Sequence, residues 1–166
     1  GSSLYGAQLA ALLGLPFAFA SHFAPAAMMQ AIDIYRTRFE PSAQQERPYV
    51  MLGFNVCAAE TDDEARFLRT SATQSFLKLR SGTPGRLPPP VDGLELTPVQ
   101  QKMLDEMRSA SAVGSADTIT KTIDDFLVKT GADELIISCQ IFEHPKRLRS
   151  YEIVSEVTGL QTNAAA

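Results

Sequence analysis

Three small residues open the sequence, Gly1-Ser2-Ser3, and Gly6 follows close behind, so two hydroxyls stand beside backbone that a ligand can approach closely. At the first turn of a helix such residues offer free N–H groups and the positive end of a dipole, chemistry suited to a phosphate. Ser2 or Ser3 serves equally well as a plain helix N-cap, and the motif alone does not choose between the two uses. Other reactive groups are sparse. His22 and His144 lie too far apart in sequence to suggest a local metal site. Cys57 and Cys139 each sit in an apolar, strand-like run, which points to buried, reduced thiols rather than a disulfide or a metal pair. Asp62, Asp63 and Glu64 are adjacent, but acidic residues in a helix's first turn complement its dipole and need no catalytic role. The sequence has no dinucleotide-binding glycine fingerprint, no Walker-type loop and no Cys-x-x-Cys.

The elements that must position these groups can be read in order. A helix is expected from about Leu4 to Leu13, with Gly14 in the left-handed position and Pro16 barring its continuation. Residues 17 to 23 form a short apolar run behind that proline and read as a buried parallel strand. From Pro25 a helical period places Met28, Ile32, Tyr35 and Phe39 on one face and stops before Pro41. After a polar loop from Glu40 to Arg47, Tyr49 to Ala59 is the longest apolar run and reads as a central strand. Thr61 to Glu64 offers a capping box, followed by apolar positions 65, 68, 72, 76 and 79 at helical spacing. Residues 82 to 96 carry glycines and prolines that forbid regular structure over most of their length. This insertion, taken as 82–112 in full, closes with a second capping box at Thr97 to Gln100 and a short anchoring helix bearing Val99, Met103, Leu104 and Met107. Residues 112 to 115 read as another Gly-Ser turn. A helix follows, with Ile119, Ile123, Phe126 and Leu127 inward and Gly131 at its end. A third strand is expected over Glu134 to Phe142, and a last helix over Lys146 to Thr158, stopped by Gly159. The tail, 160–166, has nothing to pack against and is expected to fray.

Alternation of helix and strand in this order implies parallel strands with right-handed crossovers, an α/β fold. Three parallel strands need cover on both faces and leave two long edges. Other strands must therefore come from elsewhere, as in half of a barrel or of a doubly wound sheet. The 166 residues suit one domain, and 45% hydrophobic with 20% charged residues is ordinary globular composition. A formal net charge of -4 gives no basic footprint for nucleic acid. No apolar run reaches membrane-spanning length and no positive region precedes the first apolar segment, so the chain is expected to be cytoplasmic.

Several runs together are more specific than any single motif. Gly1-Ser2-Ser3, Gly6 to Ala11, Gly14 to Pro25, Val113-Gly114-Ser115, Gly131 to Ile136 and Arg149-Ser150-Tyr151 resemble, in the same order, the bacterial luciferase-like family of flavin-dependent monooxygenases. The resemblance covers most of residues 1–159. It implies the C-terminal half of a (β/α)8 TIM barrel, starting where the fifth strand ends, with the three expected strands as the sixth to eighth. It implies FMN, used as reduced flavin with oxygen on an organic substrate, the protein supplying binding, orientation and exclusion of water. The cofactor-binding residues it implies are Gly1, Ser2, Ser3, Tyr5 and His22. The opening turn would hold the flavin phosphate at the C-terminal face of the barrel, and His22 would face the isoalloxazine region as a hydrogen-bonding group. His22 can also be a polar cap on the barrel core. The insertion corresponds to the loop that closes over the site in that family, or is an ordinary surface excursion.

The family's active-site histidine and cysteine and its phosphate-binding arginine fall in the half that this chain does not contain, so the catalytic residues are left unassigned. The chain by itself is expected neither to bind flavin tightly nor to turn over. Expected partners are an N-terminal barrel half or a homodimer mate, and a flavin reductase. Two rival functions remain: a deazaflavin-dependent oxidoreductase of the same superfamily, and a non-catalytic half-barrel module that self-associates through its sheet edges.

Overall fold

The structure is a computed structural model describing residues 1–159; the expected frayed tail at 160–166 lies outside the described residues. Its elements run α1 (Leu4–Leu12), β1 (Phe17–Phe19), a 3-10 turn (Pro25–Ala27), α2 (Met28–Thr37), β2 (Val50–Ala58), α3 (Asp62–Arg80), α4 (Pro98–Arg108), β3 (Ser111–Gly114), α5 (Ala116–Thr130), β4 (Glu134–Ser138) and α6 (His144–Thr158). The α/β alternation is as the sequence implies, with four strands in the sheet rather than three. The extra strand, β3, occupies residues expected to be a Gly-Ser turn. At four residues it is too short to announce itself by periodicity, and it exists because β2 offers it a partner. The chain divides into two compact units.

The first unit comprises residues 1–54, 105–111 and 125–138. Gly14 ends the α1 segment at φ 57°, where a β-carbon would also fall 2.5 Å from the Glu40 carbonyl oxygen, so a side chain is excluded twice over. The strand expected over 17–23 stops at Phe19. Beyond it the N–H groups of Phe23 and Ala24 both turn back to the Ala20 carbonyl, at 2.9 and 3.0 Å. β1 pairs in parallel with β2, Phe17 opposite Val50 and Phe19 opposite Leu52. β4 also pairs with β2. Just before β4, Asp133 takes the Val50 N–H on its carboxylate at 2.8 Å and donates its own N–H to the Val50 carbonyl at 2.9 Å. Phe17, Phe19, Met28, Ile32, Tyr35, Leu52, Phe54 and Phe126 fill the core. Within it the Tyr35 hydroxyl donates to the Leu15 carbonyl at 2.8 Å and accepts from the Tyr49 N–H at 3.1 Å, tying both strand entries to one side chain.

The second unit comprises residues 55–104 and 112–124 together with the described residues from 139 onward. Thr61 caps α3 by accepting the Glu64 N–H at 3.2 Å, as the capping box requires, and Ala65, Leu68, Ser71 and Ala72 form the buried face. Cys57, Ala59, Ala65, Leu68, Cys139 and Ile141 make one apolar cluster. Both cysteines are buried and free. Burial pushes the Cys57 thiol up to about 12, and it raises Cys139 as well, so neither is a thiolate at neutral pH. The strand expected to reach Phe142 ends at Ser138, and the Cys139 N–H is instead taken by the Tyr151 hydroxyl of α6 at 3.0 Å. α6 ends at Gly159, φ 67°.

Residues 82–97 contain no helix or strand. They are held to α3 by the Val91 N–H on Thr70 Oγ1 at 2.9 Å and by Gln74 Nε2 on the Pro89 carbonyl at 3.0 Å. The second capping box forms, with Thr97 and Gln100 exchanging hydrogen bonds at 2.9 and 3.3 Å. The anchoring helix expected behind it is not buried, however. No α4 residue is buried, and Val99 is 66% exposed.

Candidate functional site

Gly1 is the residue that brings the opening turn to the end of β1. Its nitrogen donates to the Ala18 carbonyl at 2.7 Å, and its carbonyl accepts the Ala20 N–H at 2.7 Å. That reciprocal pair is a parallel-ladder pattern with Gly1 opposite Phe19. The first turn of α1 and the Ala20–His22 turn are thereby set at the same end of β1. Of the expected cofactor contacts, Gly1, Ser2, Ser3 and His22 are gathered there. Tyr5 projects from the first turn of α1 and is 71% exposed.

The α1 terminus differs from the helix starts of the second unit in how its N–H groups are met. Ser3 occupies the N-cap position with extended backbone, φ -136° and ψ 160°, but its hydroxyl makes no capping hydrogen bond, and the first turn has no acidic residue. α3 has both a Thr61 cap and three acidic residues in its first turn. At the start of α5, Ser115 donates its N–H to Asp62 Oδ1 at 2.7 Å. That bond, with side-chain hydrogen bonds from Thr118 and Ser115, holds the Asp62 carboxyl below its ordinary range. The second Gly-Ser motif therefore already carries an anion from its own chain. Gly114 leaves the space for it, since a β-carbon there would lie 2.6 Å from Asp62 Oδ1. The first motif has the same donors with no such carboxylate in its first turn. Gly6 lies against the opening residue, where a β-carbon on it would make only ordinary contact, 4.0 Å from the Gly1 α-carbon. Donors of this kind suit an anion.

His22 lies in the turn beyond β1 rather than inside the strand expected over 17–23. It is half-buried against β2, with Nδ1 buried. Ser21, wholly buried, donates Oγ to the Gly53 carbonyl at 2.7 Å. Sequence reasoning missed Ser21 and Gly53. The available signal was a glycine inside the apolar run Val-Met-Leu-Gly-Phe, since glycine within a strand marks a close approach by something else. Among the described residues no group of three or more His, Cys, Asp or Glu side chains is placed to hold a metal ion. No described helix is long and apolar enough to cross a membrane.

Comparison with known proteins bears on the same stretch. The family model described as luciferase-like monooxygenase matches residues 1–134. A luciferase-like monooxygenase of Escherichia coli K12 is 46% identical over 159 residues, which are 95% of this chain and 48% of that protein. The uncharacterized protein YvbT of Bacillus subtilis is 42% identical over 159 residues, covering 95% of this chain and 47% of its own length. Among solved structures, apo-MsnO8 superposes with a TM-score of 0.81 at 28% identity, over 97% of this chain and 50% of that one. The oxygenating constituent of 3,6-diketocamphane monooxygenase of Pseudomonas putida, a type II Baeyer-Villiger monooxygenase in complex with FMN, shares the fold with a TM-score of 0.56 at 19% identity, over 90% of this chain and 43% of that one. The chain spans about half the length of the relatives it matches. With a family model matched over 134 residues and relatives above 40% identity along nearly its whole length, the chain belongs to the luciferase-like monooxygenase family.

Proposed function

We propose that this chain is the C-terminal barrel half of an FMN-dependent monooxygenase that uses reduced flavin and oxygen on an organic substrate. The observation that carries the reading is the α1 terminus, a glycine- and serine-rich first turn without an acidic residue or a hydroxyl cap, placed beside the turn that holds His22. Flavin supplies the redox chemistry when bound. The chain's own residues bind and orient. Ser2 and Ser3 offer backbone N–H groups and hydroxyls to the phosphate, with the dipole of α1 behind them, and Gly1, its own nitrogen held on the Ala18 carbonyl, sets the turn in place and leaves the backbone open to close approach. Tyr5, exposed on the same turn, flanks the phosphate, and His22, half-buried in the neighbouring turn, serves as a hydrogen-bonding group. The segment 82–97 rests on α3 through Thr70 and Gln74.

The rest of the site belongs to a complementary barrel half, whose last strand continues the parallel ladder that Gly1 makes with β1. A flavin reductase is the fitting source of reduced cofactor. The test pairs the chain with the N-terminal half of the E. coli relative by co-expression and compares FMN with riboflavin. FMN is expected to bind roughly tenfold more tightly or better, because riboflavin lacks the phosphate. Ser3→Asp, which places a carboxylate on the same N–H groups, is expected to erase that preference. Equal affinity for the two flavins would overturn the phosphate assignment. Tighter binding of a deazaflavin than of FMN would favour the oxidoreductase alternative.

A further inference from the structure

Gly53 lies in β2 between Leu52 and Phe54, both buried, where strand packing by itself would favour a large β-branched or aromatic side chain. It has no positive φ to explain it. What it has is a neighbour: a β-carbon at Gly53 would fall 1.9 Å from His22 Nδ1, 2.7 Å from Cε1 and 3.1 Å from Cγ. The imidazole fills the place of the missing side chain, with Nδ1 buried and Nε2 on the far edge. The same residue also accepts the Ser21 hydroxyl on its carbonyl at 2.7 Å. One glycine thus fixes both members of the turn, Ser21 by hydrogen bond and His22 by shape.

We propose that Gly53 is a positioning residue for His22, together with Ser21, and that it acts by turning the ring so that Nε2 rather than Nδ1 meets the bound ligand. This rests on reading His22 as a flavin or substrate contact. A substituent at Gly53 must push the ring outward, because a separation of 1.9 Å cannot be tolerated.

The test is a double-mutant cycle on Gly53→Ala and His22→Ala with two readouts. In the 166-residue chain, Gly53→Ala is expected to lower the thermal midpoint and to move the ring 15N shifts of His22. In the His22→Ala background the same change is expected to be neutral, since the space is then empty; this second background keeps the test usable should Gly53→Ala alone fold poorly. In the chain paired with its complementary half, Gly53→Ala and His22→Ala should each weaken flavin affinity or turnover by about ten- to a hundredfold, and the double variant should be no worse than either. An equal loss of stability with and without His22, or ligand defects that multiply, would overturn the positioning role. If His22→Ala leaves flavin affinity and turnover unchanged, the ligand role of His22 is overturned. The stability readout, which involves no flavin, tells that outcome from a failure of positioning.

Discussion

Asp62 shows how one side chain can decide the fate of a motif. Its carboxylate lies on the Ser115 N–H, the position a bound phosphate would take at the start of α5, and so converts an anion site into a fold contact. Because that bond lowers the carboxyl's pKa in the folded state, its stabilising effect is complete above the unfolded value near 3.9 and is lost as pH falls through the folded value. Asp62→Asn should therefore lower the thermal midpoint at pH 7, and the gap from the parent should close as pH drops below about 4. A gap of constant size in thermal melts between pH 7 and pH 3 would mean that Asp62 acts by shape and not by charge. In the sequence Asp62 is only the start of an acidic triplet. Nothing in the spacing tells that this carboxylate reaches a helix start 53 residues away, and this is why two Gly-Ser motifs that look alike in sequence part company in the structure.

At the level of elements, most of the architecture could be read, and the exceptions share a cause. Capping boxes and terminal glycines are local chemistry, so Thr61, Thr97, Gly14, Gly131 and Gly159 mark helix ends as expected. Strand ends are set by partners. β1 stops at Phe19 because Ala20 takes back two N–H groups, and β3 forms from four residues because β2 pairs with it. His22 was legible as a residue at the end of the first strand, but its seat on Gly53 required knowing which strands are neighbours. Gly14 permits a direct test of the C-terminal end of α1. Gly14→Ala must place a β-carbon 2.5 Å from the Glu40 carbonyl and adopt φ 57° with a side chain. The expected loss is about 1–2 kcal/mol or more in urea unfolding. An unchanged midpoint would show that the contact between Gly14 and the Glu40 carbonyl yields freely.

For the molecule as a whole, the order of elements in the sequence already implies missing neighbours, since a few parallel strands cannot cover their own edges. Gly1 makes parallel-ladder bonds to the outer edge of β1, and α1 exposes Tyr5, Leu9, Leu12 and Leu13, an apolar set that water does not favour. The relatives are about twice as long as the segment they share with this chain. What stayed illegible is substrate choice, because no residue type or spacing in the sequence points to a particular organic substrate. The most direct measurement is a fluorescence titration of FMN with the 166-residue chain alone and with the chain co-expressed with the N-terminal half of its E. coli relative. The account predicts no saturable micromolar binding by the chain alone and saturable binding by the pair. Tight binding by the chain alone would contradict the half-barrel account, and no binding by the pair would contradict its flavin chemistry.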